Sequence, residues 1–275
     1  MAISRTRPVL LMCAPDYYCV NYVINPWMER QVGLANRAIA IKQWSALCHL
    51  LAPYAVIELI APEAGLPDIV FTANAGLVIE KKAVVSRFRA PERQGEEPIF
   101  RAWFETRGFA LAPWPDDISF EGAGDALRDR ARSLIWCGYG FRTAADAPAL
   151  IENIFDRETA PLRLVDPRFY HLDTCFCPLT SGGVIYYPPA FDEASLERIA
   201  KRVAPERRIE VGDKDALDFA CNAVEIGGRI FMNNATDTLL TRLRAEGFEP
   251  MLCPLTEFIK AGGAAKCLTL ELDAG

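Results

Sequence analysis

Apolar positions along the chain come in short alternating runs, grouped in pairs around polar or glycine turns. Residues 75–80 and 83–88 flank Lys81-Lys82, and 126–129 and 133–137 flank Arg130-Ala-Arg132. Residues 175–179 and 184–187 flank Thr180-Ser-Gly-Gly183, and 223–226 and 229–232 flank Gly227-Gly228. Such alternation around such turns predicts β-hairpins. After each pair the apolar spacing becomes helical, over 97–107, 145–155, 193–203 and 236–246. A third strand follows, as at 162–165, 209–211 and 248–253. The turn centres recur roughly every fifty residues, a period that marks repeated supersecondary units rather than one long sheet. A fifth unit closes from the two ends: a strand over 8–13 and a helix over 32–51 come first, and a strand over 267–272 comes last. Sharing one module between the first and last segments seals a ring against edge pairing.

Composition narrows what such a ring can do. With 275 residues, 51% apolar and 24% charged, the chain can build one core, and a single domain over 1–275 is expected. Thirty basic against thirty-six acidic residues leave a formal charge of −6. That balance argues against nucleic acid, whose phosphates need a basic surface, and mildly favours a cationic substrate. The early apolar run Val9-Leu-Leu-Met-Cys-Ala14 is far below the roughly twenty residues a bilayer requires, so no membrane partner is expected. Nine cysteines and two histidines with no CxxC pair fit neither a disulfide framework nor a four-ligand zinc site. The cysteine usage points to the cytoplasm, with most thiols reduced and buried.

The polar residues that stand out fall at one point of each unit, just before its first hairpin strand. They are Asp68 and Asn74, Glu121 and Asp125, His171 and Asp173, Asn222, and Cys267. In a ring these positions gather at one end of the axis. Alternation puts His171 and Asp173 on one side of an extended segment, whereas His49 lies on an apolar helix and reads as a packing residue. Cys267 follows the glycine turn Ala261-Gly-Gly-Ala-Ala-Lys266, which lets backbone approach a ligand. Phe120-Glu-Gly-Ala-Gly-Asp125 has neither the lysine nor the spacing of a phosphate loop, and too few acidic groups for a hard-cation site, so no metal is expected. Its carboxylates suit a planar guanidinium, with a Cys–His pair as nucleophile and proton shuttle. Asn222 shares the repeat position and reads as structural.

Phe71-Thr-Ala-Asn74, Phe120-Glu-Gly-Ala-Gly-Asp125, His171-Leu-Asp-Thr174 and Gly262-Gly-Ala-Ala-Lys-Cys267 together resemble the signature segments of the guanidino-group modifying enzymes, or penteins. The resemblance runs from Tyr22 to Cys267. It implies a five-bladed α/β-propeller of ββαβ-type modules with pseudo-fivefold symmetry, and no cofactor. Within the superfamily, Ile24-Asn-Pro-Trp-Met28, Phe71-Thr-Ala-Asn-Ala-Gly76 and Pro91-Glu-Arg-Gln-Gly-Glu-Glu97 are most similar to arginine dihydrolases. These take arginine to ornithine, two ammonia and carbon dioxide. The resemblance implies Cys267 as nucleophile, His171 as general acid/base and Glu121 as its orienting carboxylate. Asp173 would hold the guanidinium, Asn25 and Asn74 would line the pocket, and Arg93 would pair with the α-carboxylate. Asp125 would be a further pocket residue. The partner is then a small guanidino substrate, on a homo-oligomeric protein. Alternatives are a dimethylarginine dimethylaminohydrolase, an arginine deiminase, an amidinotransferase, or a non-catalytic binding propeller. Arginine deiminases resemble Phe-Thr-Arg-Asp where this chain has Phe71-Thr-Ala-Asn74, which favours the dihydrolase.

Overall fold

The computed structural model describes residues 7–272, so the two ends of the expected 1–275 domain lie outside the described residues. The chain opens with β1 (Val9–Cys13), helix α1 (Arg37–Leu51) and β2 (Val56–Ile60). Four units of identical order follow. The first is β3 (Gly76–Ile79), β4 (Lys82–Val85), α2 (Glu97–Thr106) and β5 (Ala110–Leu111). The second is β6 (Ala126–Asp129), β7 (Leu134–Tyr139), α3 (Ala147–Phe155) and β8 (Glu158–Arg163). The third is β9 (Phe176–Pro178), β10 (Val184–Tyr186), α4 (Glu193–Arg202) and β11 (Arg208–Glu210). The fourth is β12 (Val224–Ile226), β13 (Arg229–Met232), α5 (Asp237–Ala245) and β14 (Glu249–Leu252), after which β15 (Leu270–Leu272) returns to β1.

Every sheet has three strands with the second in the middle, and the fifth is β15-β1-β2. The first pairing is always antiparallel and the second parallel, as a hairpin followed by a helical crossover requires. The five ββαβ units form the pseudo-fivefold α/β-propeller, with the ring closed by the two chain ends. First strands line the axis: β3, β6, β9, β12 and β15 all border one central cavity. Helices cover the outside. Phe100 and Phe104 of α2, one turn apart, pack onto Ala83, Val85 and Phe88.

Three expected elements shift. The helix expected from residue 32 begins at Arg37, where the Asn36 side chain accepts from Ile39 N and caps it. The strand expected over 162–165 is β8, starting at Glu158 and pairing along the whole of β7. Pro161 masked it, and a proline is tolerated there because β8 is an edge strand. The strand expected over 267–272 starts only at Leu270, leaving Cys267 in the preceding turn. Among the described residues no helix is long and apolar enough to cross a membrane. All nine cysteines are free.

Candidate active site

The turns preceding the first strands meet at one end of the axis and are tied to one another in a circle. Ala73 N donates to Cys267 O (3.1 Å) and Lys266 N to Asn222 O (3.3 Å). Asn222 Nδ2 donates to Asp173 O (2.9 Å), Leu172 N to Asp125 Oδ1 (2.9 Å), and Asn74 Nδ2 to Glu121 O (3.0 Å). Each bond joins neighbouring modules, so residues distant in sequence are held together. Between them lies a narrow cleft, bordered by Asn25, Asp68, Asn74, Arg142, His171 and Cys267 among others.

His171 Nε2 lies 2.7 Å from Glu121 Oε2. Arg142 donates to the same carboxylate at 3.0 Å, and Arg89 N adds a contact at 3.2 Å. Burial opposes ionisation of Glu121, but Arg142 and His171 outweigh it and hold the carboxyl far below the usual range. An ionised Glu121 can only accept, so Nε2 carries the proton and Nδ1 is left to exchange protons with a ligand. Gly124 makes this approach possible. A Cβ there would stand 2.3 Å from Asn74 Nδ2 and 3.3 Å from His171 Nδ1.

Cys267 Sγ sits 3.4 Å from Asp173 Oδ2 and 3.1 Å from Asn222 Nδ2. Burial, then the Asp173 charge, push its thiol well above the ordinary range. Asp173 is itself raised to about 7 by burial, against the opposing pull of Lys266. Its Oδ1 has no hydrogen-bond partner, and neither has Asp68 Oδ1, whose sister Oδ2 accepts from Tyr22. Asn25 caps the short helix Pro26–Met28 through its Oδ1 and donates through Nδ2 to Ala261 O. It thereby pins the cysteine-bearing loop, where Gly262 at φ +85° passes Tyr170 and Asn25 too closely for any side chain.

Two expectations need correcting. Asp125 does not line the cleft: Oδ2 accepts from Thr143 and Oδ1 from Leu172 N, so both oxygens are spent inside the protein. Burial pushes it up to about 6. Asn222 is not merely structural, since it touches Sγ. Arg93 does reach the cleft, although it sits in a charged run that a solvated loop would also give. It is buried on the short helix Pro91–Gln94, bidentate to Glu96 (2.9 and 2.8 Å), and donates to Asn74 Oδ1 (2.9 Å) and Asp68 O (3.1 Å). Sequence reasoning missed Arg142, stacked over Tyr170 at 4.8 Å, and underrated Asp68. The one sign of Arg142 was a lone charge directly after the uncharged run Cys137-Gly-Tyr-Gly-Phe141.

A family model described as N,N dimethylarginine dimethylhydrolase, eukaryotic, matches residues 15–274. A bifunctional arginine dihydrolase/ornithine cyclodeaminase, AgrE of a Nostoc species, is 52% identical over 98% of this chain, which spans only 38% of that relative's length. An N(G),N(G)-dimethylarginine dimethylaminohydrolase of Mycobacterium tuberculosis is 40% identical, covering 98% of this chain and 86% of its own. Among solved structures, the N-terminal domain of ArgZ, a cyanobacterial arginine dihydrolase, superposes with a TM-score of 0.95 at 52% identity. That structure is a Cys→Ser variant bound to substrate, and the match covers 96% of this chain and 98% of that one.

Proposed function

Because this chain belongs to the N,N-dimethylarginine dimethylhydrolase family, we propose that it hydrolyses the guanidino group of arginine through Cys267. The reading is an arginine dihydrolase, giving ornithine, two ammonia and carbon dioxide. One observation carries the substrate class: among the described residues, two buried carboxylate oxygens have no partner, Asp68 Oδ1 and Asp173 Oδ1. Each such orphan costs roughly 1–3 kcal/mol, which a cationic ligand removes. Asp173 does not itself line the cleft but, unlike Asp125, keeps an oxygen without a partner and touches Cys267 Sγ, and so suits the guanidinium, while Asp68 on the cleft wall suits an α-ammonium. Arg93 and Arg142 border the same cleft and suit an α-carboxylate. Arginine carries all three groups.

In this mechanism the guanidinium, arriving beside Asp173, offsets the burial that keeps Cys267 protonated, and the thiolate attacks the guanidinium carbon. His171 delivers a proton to the departing ammonia, leaving a thiouronium on Sγ. It then takes a proton from the attacking water, and collapse expels Sγ to give citrulline. A second attack, on the ureido carbon, expels the second ammonia. Water then displaces Sγ from this thiocarbamate, which regenerates the thiol and frees a carbamate of ornithine, and the carbamate loses carbon dioxide.

Asn74 favours the second cycle. Its Oδ1 is committed to Arg93 and one N–H to Glu121 O, so its remaining N–H can only donate. That matches the neutral citrulline oxygen, which a carboxylate at this position would repel. Residues 1–275 acting as one catalytic domain, in the cytoplasm where nine free thiols persist, belong to the same proposal. The family model and the mycobacterial relative favour dimethylarginine as a second substrate reading. Incubating the protein with each compound separates the two. Ammonia from arginine supports the first reading, dimethylamine from dimethylarginine alone supports the second, and neither product overturns both.

A further inference from the structure

Asn222 came out of the sequence with a repeat position and no role. In the structure all four hydrogen-bonding positions of its amide are filled. Oδ1 accepts from Ala264 N (3.0 Å) and from Cys267 N (3.2 Å). Nδ2 donates to Asp173 O (2.9 Å) and points its other hydrogen at Cys267 Sγ (3.1 Å). The chemistry fixes the orientation of the amide. Two backbone N–H groups on one side require an oxygen there, and the Asp173 carbonyl on the other side requires N–H. A flipped amide would set donor against donor twice and acceptor against acceptor once. The group facing sulfur is therefore a donor, fully desolvated, since Asn222 and Cys267 are both buried.

We propose that Asn222 is the side chain that stabilises the Cys267 thiolate, holding the nucleophile's turn with one end of its amide and the sulfur's charge with the other. The proposal rests on the reading of Cys267 as nucleophile. In the resting protein the S–H donates to Asp173 Oδ2. When the proton leaves for solvent, that carboxylate turns from acceptor into repulsive neighbour, and Asn222 remains as the neutral side-chain donor on the anion. Lys266, though adjacent in sequence, borders the axial cavity rather than the cleft, and its Nζ donates to Thr269 O. A hydrogen bond to the charged form favours that form. For a buried charged acceptor this corresponds to about one to two pH units in the ionisation midpoint.

The substitution Asn222→Asp separates the two ends of the amide. It keeps an oxygen for Ala264 N and Cys267 N, so the turn is retained, but faces sulfur with a second oxygen. The measurement is the rate of Cys267 alkylation by iodoacetamide against pH, followed by mass spectrometry of the intact chain. Iodide leaves as the S–C bond forms, and no arginine is needed. The expected midpoint in Asn222→Asp lies about one to two units above wild type, with kcat lowered at least about tenfold and KM little changed. An unchanged melting temperature shows that the turn has survived. A midpoint equal to wild type in the folded variant overturns the proposal while leaving the hydrolase reading intact. Asn222→Ala, which removes both ends, is expected to shift the midpoint in the same direction and to lower the melting temperature. Ammonia release that survives full alkylation of Cys267 overturns the nucleophile reading, and the proposal with it.

Discussion

His171 Nε2 and Glu121 Oε2 lie 2.7 Å apart in the closed interior of the ring, with the Arg142 guanidinium on the same carboxylate. The pair fixes which imidazole nitrogen can exchange a proton with a ligand. Glu121→Gln gives Nε2 a partner that can also donate, and so releases the tautomer. General acid/base catalysis contributes about 10²–10⁴-fold, and kcat for arginine should fall by at least the lower figure. Arg142 loses a buried ionic partner as well, a change that costs on the order of 3–5 kcal/mol. A lowered melting temperature should therefore accompany the rate loss. A full-rate variant would remove Glu121 from the account.

Arginine binding should release a proton. Asp173 in the free protein is raised by burial to about 7, and an adjacent guanidinium favours its ionised form. Above about pH 7 the carboxylate is already charged and affinity is flat. Below it, binding must expel the proton, and affinity falls by up to about tenfold per pH unit. Calorimetry on the Cys267→Ser variant near pH 6, in buffers of different ionisation enthalpy, reads the released proton directly. Glu96 and Asp125 are also raised, to about 7 and about 6, so Asp173→Asn is the control and should abolish the release.

The same shift predicts stability. Asp173 binds its proton more tightly when folded than unfolded, so its contribution is present at low pH and is lost as pH rises through about 7. Asp173→Asn should therefore flatten the fall in stability between about pH 4 and 7. Urea unfolding across that range measures it, and a slope unchanged from wild type would contradict the burial argument.

Gly124→Ala should destroy activity without removing any titratable group. The added methyl would stand 2.3 Å from Asn74 Nδ2 and 3.3 Å from His171 Nδ1, so both must move. Overpacking of this kind costs about 1–3 kcal/mol. The variant should fold with a lowered melting temperature and bind arginine poorly. Wild-type turnover would show that neither side chain needs its present place.

The hairpin over β6 and β7 was legible because its polar turn interrupts two alternating runs, and the ring was legible because that pattern repeats. Asn74, His171 and Cys267 were legible through their common place before a first strand. Arg93 was legible only through the family resemblance, because a charged run looks solvated until Glu96 is seen beneath it. Arg142 follows the second strand of its module, outside the position the repeat singled out. Asp125 was misplaced for the opposite reason. It stands at the right point of the repeat, yet Thr143 and Leu172 absorb both of its oxygens. Sequence position shows which end of the ring a residue occupies, and partners contributed by other modules decide whether it faces the cleft.

Asn74→Asp should shift the products. A carboxylate there still pairs with Arg93 but offers no N–H to a citrulline oxygen, so the variant should accumulate citrulline or lose activity. Mass spectrometry of the ornithine-to-citrulline ratio decides it, and ornithine formed as efficiently as by wild type would remove Asn74 from the second step.

The most direct measurement is the stoichiometry of wild-type turnover. With limiting arginine, ammonia and amino-acid products are quantified at completion, alongside Cys267→Ala as the inactive reference. Two ammonia per arginine with ornithine as the end product is the expected result. One ammonia with citrulline persisting would contradict the dihydrolase account and make the protein an arginine deiminase.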